Sequence, residues 1–191
     1  MVVLNRIYTR KGDDGSTALV TGERLLKSSP RVAAYGTIDE TNSVVGLARL
    51  HTTDLPVLDA MLARIQNDLF DLGADLATPP DAETKWEPLR IVRAQVDRLE
   101  REIDELNADL EPLKSFVLPG GGAAAAHLHL ARTVSRRAER EMVEMIAVAP
   151  GAVSAEALAY VNRLSDFFFV AARFANDRGR ADVLWVPGAN R

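Results

Sequence analysis

The chain has 191 residues, of which 47% are hydrophobic and 26% are charged, a composition typical of a single folded domain with a full core. Its formal net charge of −4 excludes a general basic surface for nucleic acid or anionic membranes, so any anion site must be local. The absence of cysteine excludes disulfides, thiolate metal sites and a cysteine nucleophile, and three histidines are too few for an obvious metal cluster.

No run of about 18 apolar residues occurs in the chain, and its N-terminal residues lack the apolar stretch of a signal peptide. We therefore expect a cytoplasmic protein that has neither a membrane nor a nucleic acid as its partner.

We predict an irregular N-terminal arm over residues 1–28, because these residues show neither sustained helical nor strand periodicity. The centre of the arm, Thr9–Thr17, combines Gly12 and Gly15 with hydroxyls and cations. Glycines let backbone N–H groups converge on an anion, and Lys27 would supplement them. The stretch is not a Walker A loop, and by itself it is more typical of a pair of ordinary turns.

The first helix has two candidate starts, and the sequence does not choose between them. One is Ser29 as N-cap with Pro30 at the first position, which would place Gly36 inside a long helix. The other is Thr37, which has capping-box spacing to Glu40. In both cases Asp39 lies on the helix, where the simplest interpretation is a surface carboxylate favoured by the helix dipole.

Two helices of a bundle follow, each with apolar residues at alternating steps of four and three. The stripe of the second helix is Leu58, Leu62, Ile65, Leu69, Leu72 and Leu76. The third helix is predicted from about Pro88 to Leu110, with Val92, Val96, Leu99, Ile103, Leu106 and Leu110 on one side. We interpret its acids and arginines as a solvated outer face.

The fourth helix, predicted from about Ala123 to Val148, combines an apolar stripe with a cationic strip. The breaker before it, Lys114–Gly122, presents Phe116 on an irregular segment, where a core plug is the simplest role. Arg132, Arg136, Glu139 and Arg140 share one narrow sector of the helix, a face that suits a polyphosphate because guanidinium donors match phosphate oxygens. A solvated charged face is the alternative, although its i,i+4 pairs would be like-charged.

The fifth helix begins after Ser154 as N-cap, and its buried stripe is Val161, Leu164, Phe168, Ala171 and Ala175. Asn162, Asp166, Phe169 and Arg173 lie on a different face, and we expect the arginines of the fourth helix as partners for Asn162 and Asp166. In the tail, Val183–Val186 is short and apolar and would dock as a strand-like cover. The prediction is an all-α five-helix bundle in one domain of residues 1–191, with the bundle over about 30–178 and the tail over 179–191.

Five motifs now stand in a fixed order: YTRKGDDGST at 8–17, RVAAYGTIDETNS at 31–43, FVLPGG at 116–121, ARTVSRRAER at 131–140 and NRLSD at 162–166. Together they cover essentially the whole chain, and they resemble the PduO-type ATP:corrinoid adenosyltransferases. Lys11, Asp14, Ser16 and Thr41 depart from the residues usual in that family.

The resemblance implies a homotrimer of five-helix bundles with active sites at the subunit interfaces. Asp39 would pair with Arg132 across the interface, and Phe116 would stand under the corrin. Mg²⁺ would accompany the ATP, with no ligand named. The residues that would hold ATP are Thr9, Arg10, Lys11, Gly12, Thr17, Ala18 and Lys27 of one subunit and Arg136, Arg137, Ala138, Glu139, Arg140 and Asn162 of its neighbour.

The implied enzymes transfer the 5′-deoxyadenosyl group of ATP to the cobalt of cob(I)alamin. Cobalt(I) is itself a strong nucleophile, so the protein needs to align it and to stabilise charge on the departing triphosphate. The resemblance therefore implies a catalytic set of Arg132, Arg136, Asp39 and Phe116. A cob(II)alamin reductase and an adenosylcobalamin-dependent enzyme would be partners.

Two other functions use the same features. A regulatory bundle would bind ATP or another polyphosphate through the arm and the arginines without consuming a corrinoid. A purely structural or interaction protein would use the apolar stripes as partner surfaces and would leave the arginines solvated.

Overall fold

A computed structural model describes residues 7–191, and in this range it contains five helices and one small hairpin. The predicted five-helix bundle is therefore confirmed, while the first six residues of the predicted arm lie outside the described part. The elements are β1 (Ser16–Ala18), β2 (Arg24–Leu26), α1 (Pro30–Arg49), α2 (Pro56–Ala77), α3 (Arg93–Asn107), α4 (Ala123–Val148) and α5 (Ala155–Ala175).

Serine caps decide where α1 and α5 begin. The hydroxyl of Ser29 accepts a hydrogen bond from Val32 N, and Pro30 occupies the first turn, so the earlier of the two predicted starts is correct. Gly36 consequently lies inside one long helix. The hydroxyl of Ser154 caps α5 in the same way, as predicted, by accepting from Ala157 N at 3.1 Å.

The core lies between the apolar stripes of the helices. α1 packs against α2 and α4, α4 packs against α5, and α5 packs against α3. All six predicted stripe residues of α2 are buried, and so are the five apolar stripe residues of α4, which are Ala131, Val134, Ala138, Met142 and Met145. Burying the stripe of α4 turns its charged side chains away from the core.

α3 is shorter than predicted, because the residues before it are extended and bound to α2. Asp75 accepts hydrogen bonds from Arg90 Nη1 at 2.7 Å and from Ile91 N at 2.9 Å. Val92 N then donates to Gln95 Oε1, and α3 begins at Arg93. The predicted start at about Pro88 and end at about Leu110 were wrong by several residues at the start and a few at the end.

The prediction that the charges of α3 form a solvated face was also wrong in part. Glu102 is only 5% exposed and accepts from Arg64 of α2 at 2.6 Å. On the same side of α3, Gln95 donates to the buried carboxylate of Asp68, which also accepts from the hydroxyl of Tyr160 in α5 at 2.7 Å. These contacts join α2, α3 and α5 through buried polar groups.

The arm contains a hairpin that the sequence did not reveal. β1 and β2 pair antiparallel, with Thr17 opposite Leu25. Strands of three residues are too short to show the alternation of polar and apolar residues by which strands are recognised.

The tail docks as the predicted strand-like cover. Leu184 forms an isolated antiparallel bridge with Val117, in the segment between α3 and α4. None of the helices within residues 7–191 combines the length and the hydropathy that spanning a membrane requires.

Candidate active site

The loop before β1 folds back over the end of β2 and brings its cations together. Lys27 Nζ donates to Gly12 O at 2.8 Å, and Lys27 N donates to Gly15 O at 2.9 Å. Arg10 has φ of 61°, a left-handed conformation that is uncommon outside glycine and that turns the chain sharply beside this loop. Of the predicted ATP-binding residues, Thr9, Arg10, Lys11, Gly12, Thr17, Ala18 and Lys27 thus lie in one small unit.

Asp14 organises the same unit from within. It accepts from the backbone and hydroxyl of Ser16 at 2.9 and 2.7 Å and pairs with Arg24 at 3.2 Å. The hydrogen bonds from Ser16 are the main reason why the pKa of Asp14 lies below its usual value, and Arg24 lowers it further. The loop is thus held by the Asp14 carboxylate as well as by the hydrogen bonds of Lys27.

The cationic strip of α4 contains one half-buried and two exposed arginines. Arg132 is partly buried, and its Nε atom has no hydrogen-bond partner within residues 7–191. Burial lowers the pKa of Arg132, and the neighbouring charge of Arg136 lowers it further. Arg136 and Arg140 are exposed, and Arg140 Nη1 donates to the carbonyl of Arg136. The strip therefore holds concentrated positive charge with unused donors.

Other predicted residues of α4 already have partners in this chain. Arg137 forms an ion pair with Glu40 of α1. Glu139 accepts from Asn162 Nδ2 of α5 at 2.8 Å, and Asn162 Oδ1 accepts from Arg163. The expectation that Asn162 would pair with an arginine of α4 was wrong, because Asn162 instead donates to Glu139, the acidic residue of the cationic strip.

An open cavity of about 580 Å³ lies beside Arg132. Its walls include Phe116 from the segment before α4 and Phe169 from α5. Phe116 is 76% exposed, so its predicted simplest role as a core plug is wrong. The volume falls in the range of small-molecule sites, with an apolar wall and one guanidinium.

Asp39 lies apart from these residues, in a second open groove of about 480 Å³ between α1 and α2. Its side chain is exposed, and Phe70 on the facing helix is 72% exposed. Asn42 in the same groove has a buried Oδ1 atom without a partner within residues 7–191. Asp39 and Arg132 do not pair within this chain, and their pairing across an interface stays a prediction.

The predicted site residues therefore form separate groups. In the part of the chain that the structure describes, no hydrogen bond or ion pair joins residues 9–27 to α4. The groove with Asp39 and the cavity with Arg132 have no lining residue in common.

Sequence reasoning gave no role to Phe169, which lines the cavity, or to His129, which packs against Phe169. Phe169 was placed on the correct face of α5, and its large apolar side chain among polar neighbours was the available signal. His129, one turn before Arg132, is buried and packs edge-on against Phe169 with ring centroids 6.3 Å apart. No spacing rule distinguishes it from an ordinary core histidine.

Residues 7–191 contain no group of three or more histidine or acidic side chains arranged to hold a metal ion. A divalent cation that accompanies a nucleotide is commonly held by one or two carboxylates and by the phosphates themselves. The described residues are compatible with a site of this kind, in which the phosphates supply most of the ligands, although no protein ligand can be named.

The structure is a helical bundle with a strip of arginines on α4 and an open cavity with an apolar wall beside Arg132. Residues 7–175 match the cobalamin adenosyltransferase family, and the chain belongs to this family, in its PduO-type branch. The resemblance seen in the five motifs is thus confirmed.

Relatives and solved structures cover nearly the whole chain. This chain is 50% identical to a corrinoid adenosyltransferase of Mycobacterium tuberculosis, over 100% of this chain and 97% of that protein. It is 44% identical to one of Bacillus subtilis, over 96% of this chain and 94% of the relative. A phenylalanine-to-alanine variant of a PduO-type ATP:corrinoid adenosyltransferase from Lactobacillus reuteri, complexed with cobalamin and ATP, superposes with a TM-score of 0.84 at 42% identity, over 94% of this chain and 99% of that one.

Proposed function

We propose that this chain transfers the 5′-deoxyadenosyl group of ATP to the cobalt of cob(I)alamin or a related corrinoid, giving adenosylcobalamin and triphosphate. The observation that carries the proposal is the cavity in which Phe116 and Phe169 lie beside Arg132. The aromatic side chains offer an apolar wall to a corrin, and the arginines of α4 begin at the edge of the same cavity. Membership of the family supplies the reaction.

The reaction needs no nucleophile from the protein. The electron pair of cobalt(I) attacks C5′ of ATP, the cobalt–carbon bond forms, and the carbon–oxygen bond to the triphosphate breaks with its electron pair leaving on oxygen. The protein lowers the barrier by aligning cobalt with C5′ and by placing fixed positive charge where the triphosphate gains negative charge. Removing one such contact costs about 2–4 kcal/mol, or roughly 10² to 10³ in rate.

Two copies of the chain build one ATP site in this proposal. The arm unit around Gly12 and Lys27 holds the nucleotide from one subunit, and Arg136, Arg137, Ala138, Glu139, Arg140 and Asn162 hold it from the neighbour. The separation of these groups within one chain supports the proposal, because a single copy leaves both sets of donors incomplete. Mg²⁺ accompanies the ATP and is held largely by its phosphates.

The assembly is a homotrimer with three such interfaces. The face that contains Asp39 and the exposed Phe70 packs against the Arg132 face of a second copy. The Asp39 carboxylate then meets Arg132, whose Nε has no hydrogen-bond partner within residues 7–191. Contact at this face is supported by the exposed Phe70 and by Asn42 Oδ1, which is buried and has no partner among the described residues 7–191. A buried Arg–Asp pair costs about 3–5 kcal/mol when one partner is removed.

Further partners follow from the chemistry of the substrate. A reductase must supply the electron that converts cob(II)alamin to cob(I)alamin, and an adenosylcobalamin-dependent enzyme takes the product. We place these steps in the cytoplasm, and no docking residue for either partner is assigned.

The test is anaerobic absorbance spectroscopy of the purified chain with cob(I)alamin, ATP and Mg²⁺. We expect the cob(I)alamin band to disappear and light-sensitive adenosylcobalamin to form. Arg136→Ala should slow this conversion by about 10² to 10³, because it removes a donor to the triphosphate. Arg93→Ala is the matched control, since Arg93 is a surface arginine on α3 that pairs with Asp97.

Persistence of cob(I)alamin while ATP still binds would contradict the proposal and would favour the regulatory polyphosphate-binding function. Absence of ATP binding would favour a structural role. Equal losses in Arg136→Ala and Arg93→Ala would show that the strip of α4 has no special part in the reaction.

A further inference from the structure

The position of Phe116 is set by backbone hydrogen bonds of its segment, because its side chain is largely exposed. Its side chain is 76% exposed, and its ring is 6.0 Å from that of Trp185 between centroids. Phe116 O accepts a hydrogen bond from Trp185 N at 2.8 Å, and Leu118 N donates to Val183 O at 2.7 Å. The location of this ring is therefore set by the two-stranded contact between its own segment and the tail.

A buried ion pair anchors the start of both segments. Arg173 Nε of α5 donates to Asp182 Oδ2 at 2.8 Å, and the two side chains are only 7% and 2% exposed. Arg173 Nη2 also donates to Glu111 O at 2.9 Å, at the beginning of the segment that leads to Phe116. The guanidinium of Arg173 thus binds the tail through Nε and the Phe116 segment through Nη2.

A buried amide, that of Asn176, anchors the far end of the same segment. Asn176 Oδ1 accepts from Gly122 N at 3.0 Å, and its Nδ2 donates to Gly120 O at 3.3 Å and to Asp182 Oδ1 at 3.4 Å. Gly121 lies against this amide with φ of 95°, and a Cβ atom there would be 2.2 Å from it. Only glycine fits this close approach.

We propose that Arg173, Asn176 and Asp182 form a buried clamp that positions Phe116 against the lower face of the corrin. The inference rests on the proposed function and adds to it three positioning residues that touch no reacting atom. They hold both ends of the Phe116 segment and the tail strand beside it, in contrast to surface ion pairs that join exposed side chains.

The clamp matters most when cobalt has to be reduced. An apolar ring held beneath the corrin excludes a lower axial ligand, and axial ligation governs how readily cobalt(II) accepts an electron. Releasing the clamp lets the ring leave that position. Transfer from cob(I)alamin needs only alignment with ATP, so it should be much less affected than turnover that begins from cob(II)alamin with a reductant.

The test compares Asp182→Asn with Asp109→Asn in the full chain. Asp109 pairs with Arg178 at 3.1 Å and also joins the region after α3 to the turn after α5, but both side chains are more than half exposed. Hydrogen exchange is measured at the amides of Leu118 and Trp185. We expect exchange about tenfold faster in Asp182→Asn and unchanged in Asp109→Asn, because only the first variant loosens the buried anchor.

Turnover provides the second measurement. In Asp182→Asn, the rate from cob(II)alamin with a chemical reductant should fall about tenfold relative to the rate from pre-reduced cob(I)alamin. Ser115→Ala removes the hydrogen bond from the serine hydroxyl to Trp185 O at 2.6 Å, and it should speed exchange at these amides and shift the rate ratio in the same direction by a smaller factor. This variant keeps the test decisive if Asp182→Asn fails to fold.

Unchanged exchange at these amides in a folded Asp182→Asn protein, or equal losses from both cobalt oxidation states, would overturn the proposal. If Asp182→Asn does not fold, unchanged values in Ser115→Ala would do so. A wild-type protein that makes no adenosylcobalamin from cob(I)alamin would instead refute the proposed function, and that result is visible before any variant is compared.

Discussion

His129 is a buried side chain for which residues 7–191 offer no hydrogen-bond partner at either ring nitrogen. Burial lowers the pKa of His129, the charge of Arg132 lowers it further, and Asp182 partly opposes these effects. The neutral ring is therefore the form that the folded protein favours. A charged ring here would stand beside the guanidinium that the proposed site uses.

The first prediction concerns stability at low pH. In the unfolded chain His129 titrates near about 6.5, and in the folded chain it titrates lower, so protonation favours unfolding. The penalty is absent above the unfolded pKa and complete once the pH has fallen through the folded pKa. Urea unfolding of His129→Asn should show a shallower loss of stability in this window than the wild type, and identical slopes would contradict the prediction.

The second prediction concerns Phe116 itself. Phe116→Ala removes the exposed ring from the cavity wall, so it should slow turnover from cob(II)alamin more than turnover from pre-reduced cob(I)alamin. Because the ring is largely exposed, the free energy of unfolding should change by less than about 1 kcal/mol. Steady-state rates measured with cob(II)alamin and with pre-reduced cob(I)alamin test this prediction, and equal slowing of both would contradict the proposed role of the Phe116 ring.

At the scale of elements, the arm and the bundle are held together by different means. The arm is ordered by short hydrogen bonds to main-chain carbonyls, as between Lys27 and Gly12. The helices are joined by apolar stripes and by buried polar groups such as the Tyr160–Asp68 hydrogen bond. Each mode of contact can be changed without touching the other.

The third prediction tests the arm. A Cβ atom at Gly12 would lie 3.2 Å from both Lys27 Nζ and Ser16 O, so Gly12→Ala should displace the lysine. Loss of a charged contact of this kind costs about 1.5–3 kcal/mol, which predicts an ATP affinity lower by about tenfold or more. Isothermal titration with ATP measures it. Thr21→Ala, at the other end of the hairpin, is the control and should bind as the wild type does.

The fourth prediction tests the bundle. Tyr160→Phe deletes a fully buried hydroxyl that donates to Asp68, and burial with the nearby carboxylate raises the pKa of this tyrosine well above its usual value. We expect unfolding to become easier by about 1.5–3 kcal/mol, since the bond is to a charged acceptor. Chemical denaturation gives the value. Substrate binding should be unchanged, because Tyr160 touches none of the proposed ligand groups, and a selective loss of ATP affinity would argue otherwise.

At the scale of the whole molecule, the residues of the proposed site lie in separate groups within one chain. Phe70 and Asp39 face one open groove, while Phe116 and Arg132 line another. A trimer would bring such grooves together and would bury apolar surface that one chain leaves in water.

The fifth prediction follows from this arrangement. Phe70→Glu should convert the proposed trimer to monomers and abolish transfer, because a carboxylate replaces an exposed ring whose burial is worth about 1.5–3 kcal/mol in each copy. Light scattering after gel filtration measures the mass. Val148→Glu changes another exposed apolar residue, at the end of α4, and should leave the mass unchanged. A wild-type monomer would refute the assembly.

The amino-acid sequence by itself determined the five helices, the buried stripes of α2 and α4 and the Ser154 cap, since these depend on the spacing and type of neighbouring residues. It predicted the stripe of α3 less well, because Val92 is 52% exposed and precedes the helix. It also determined the family, because ordered motifs depend on identity and not on geometry. It left the choice between Ser29 and Thr37 open, and it missed the hairpin because strands of three residues have no readable period.

Only the tertiary structure decided which polar groups are buried and which residues far apart in the chain meet. Glu102 was expected to be solvated, but Arg64 of another helix lies beside it, and no spacing in the sequence indicated that the tail would bring Asp182 to Arg173. Burial and long-range pairing arise from packing between elements, and local spacing contains no information about the partner. For that reason α4 was recognisable as an arginine-lined helix from its own residues, whereas the cavity and the clamp beside it were not.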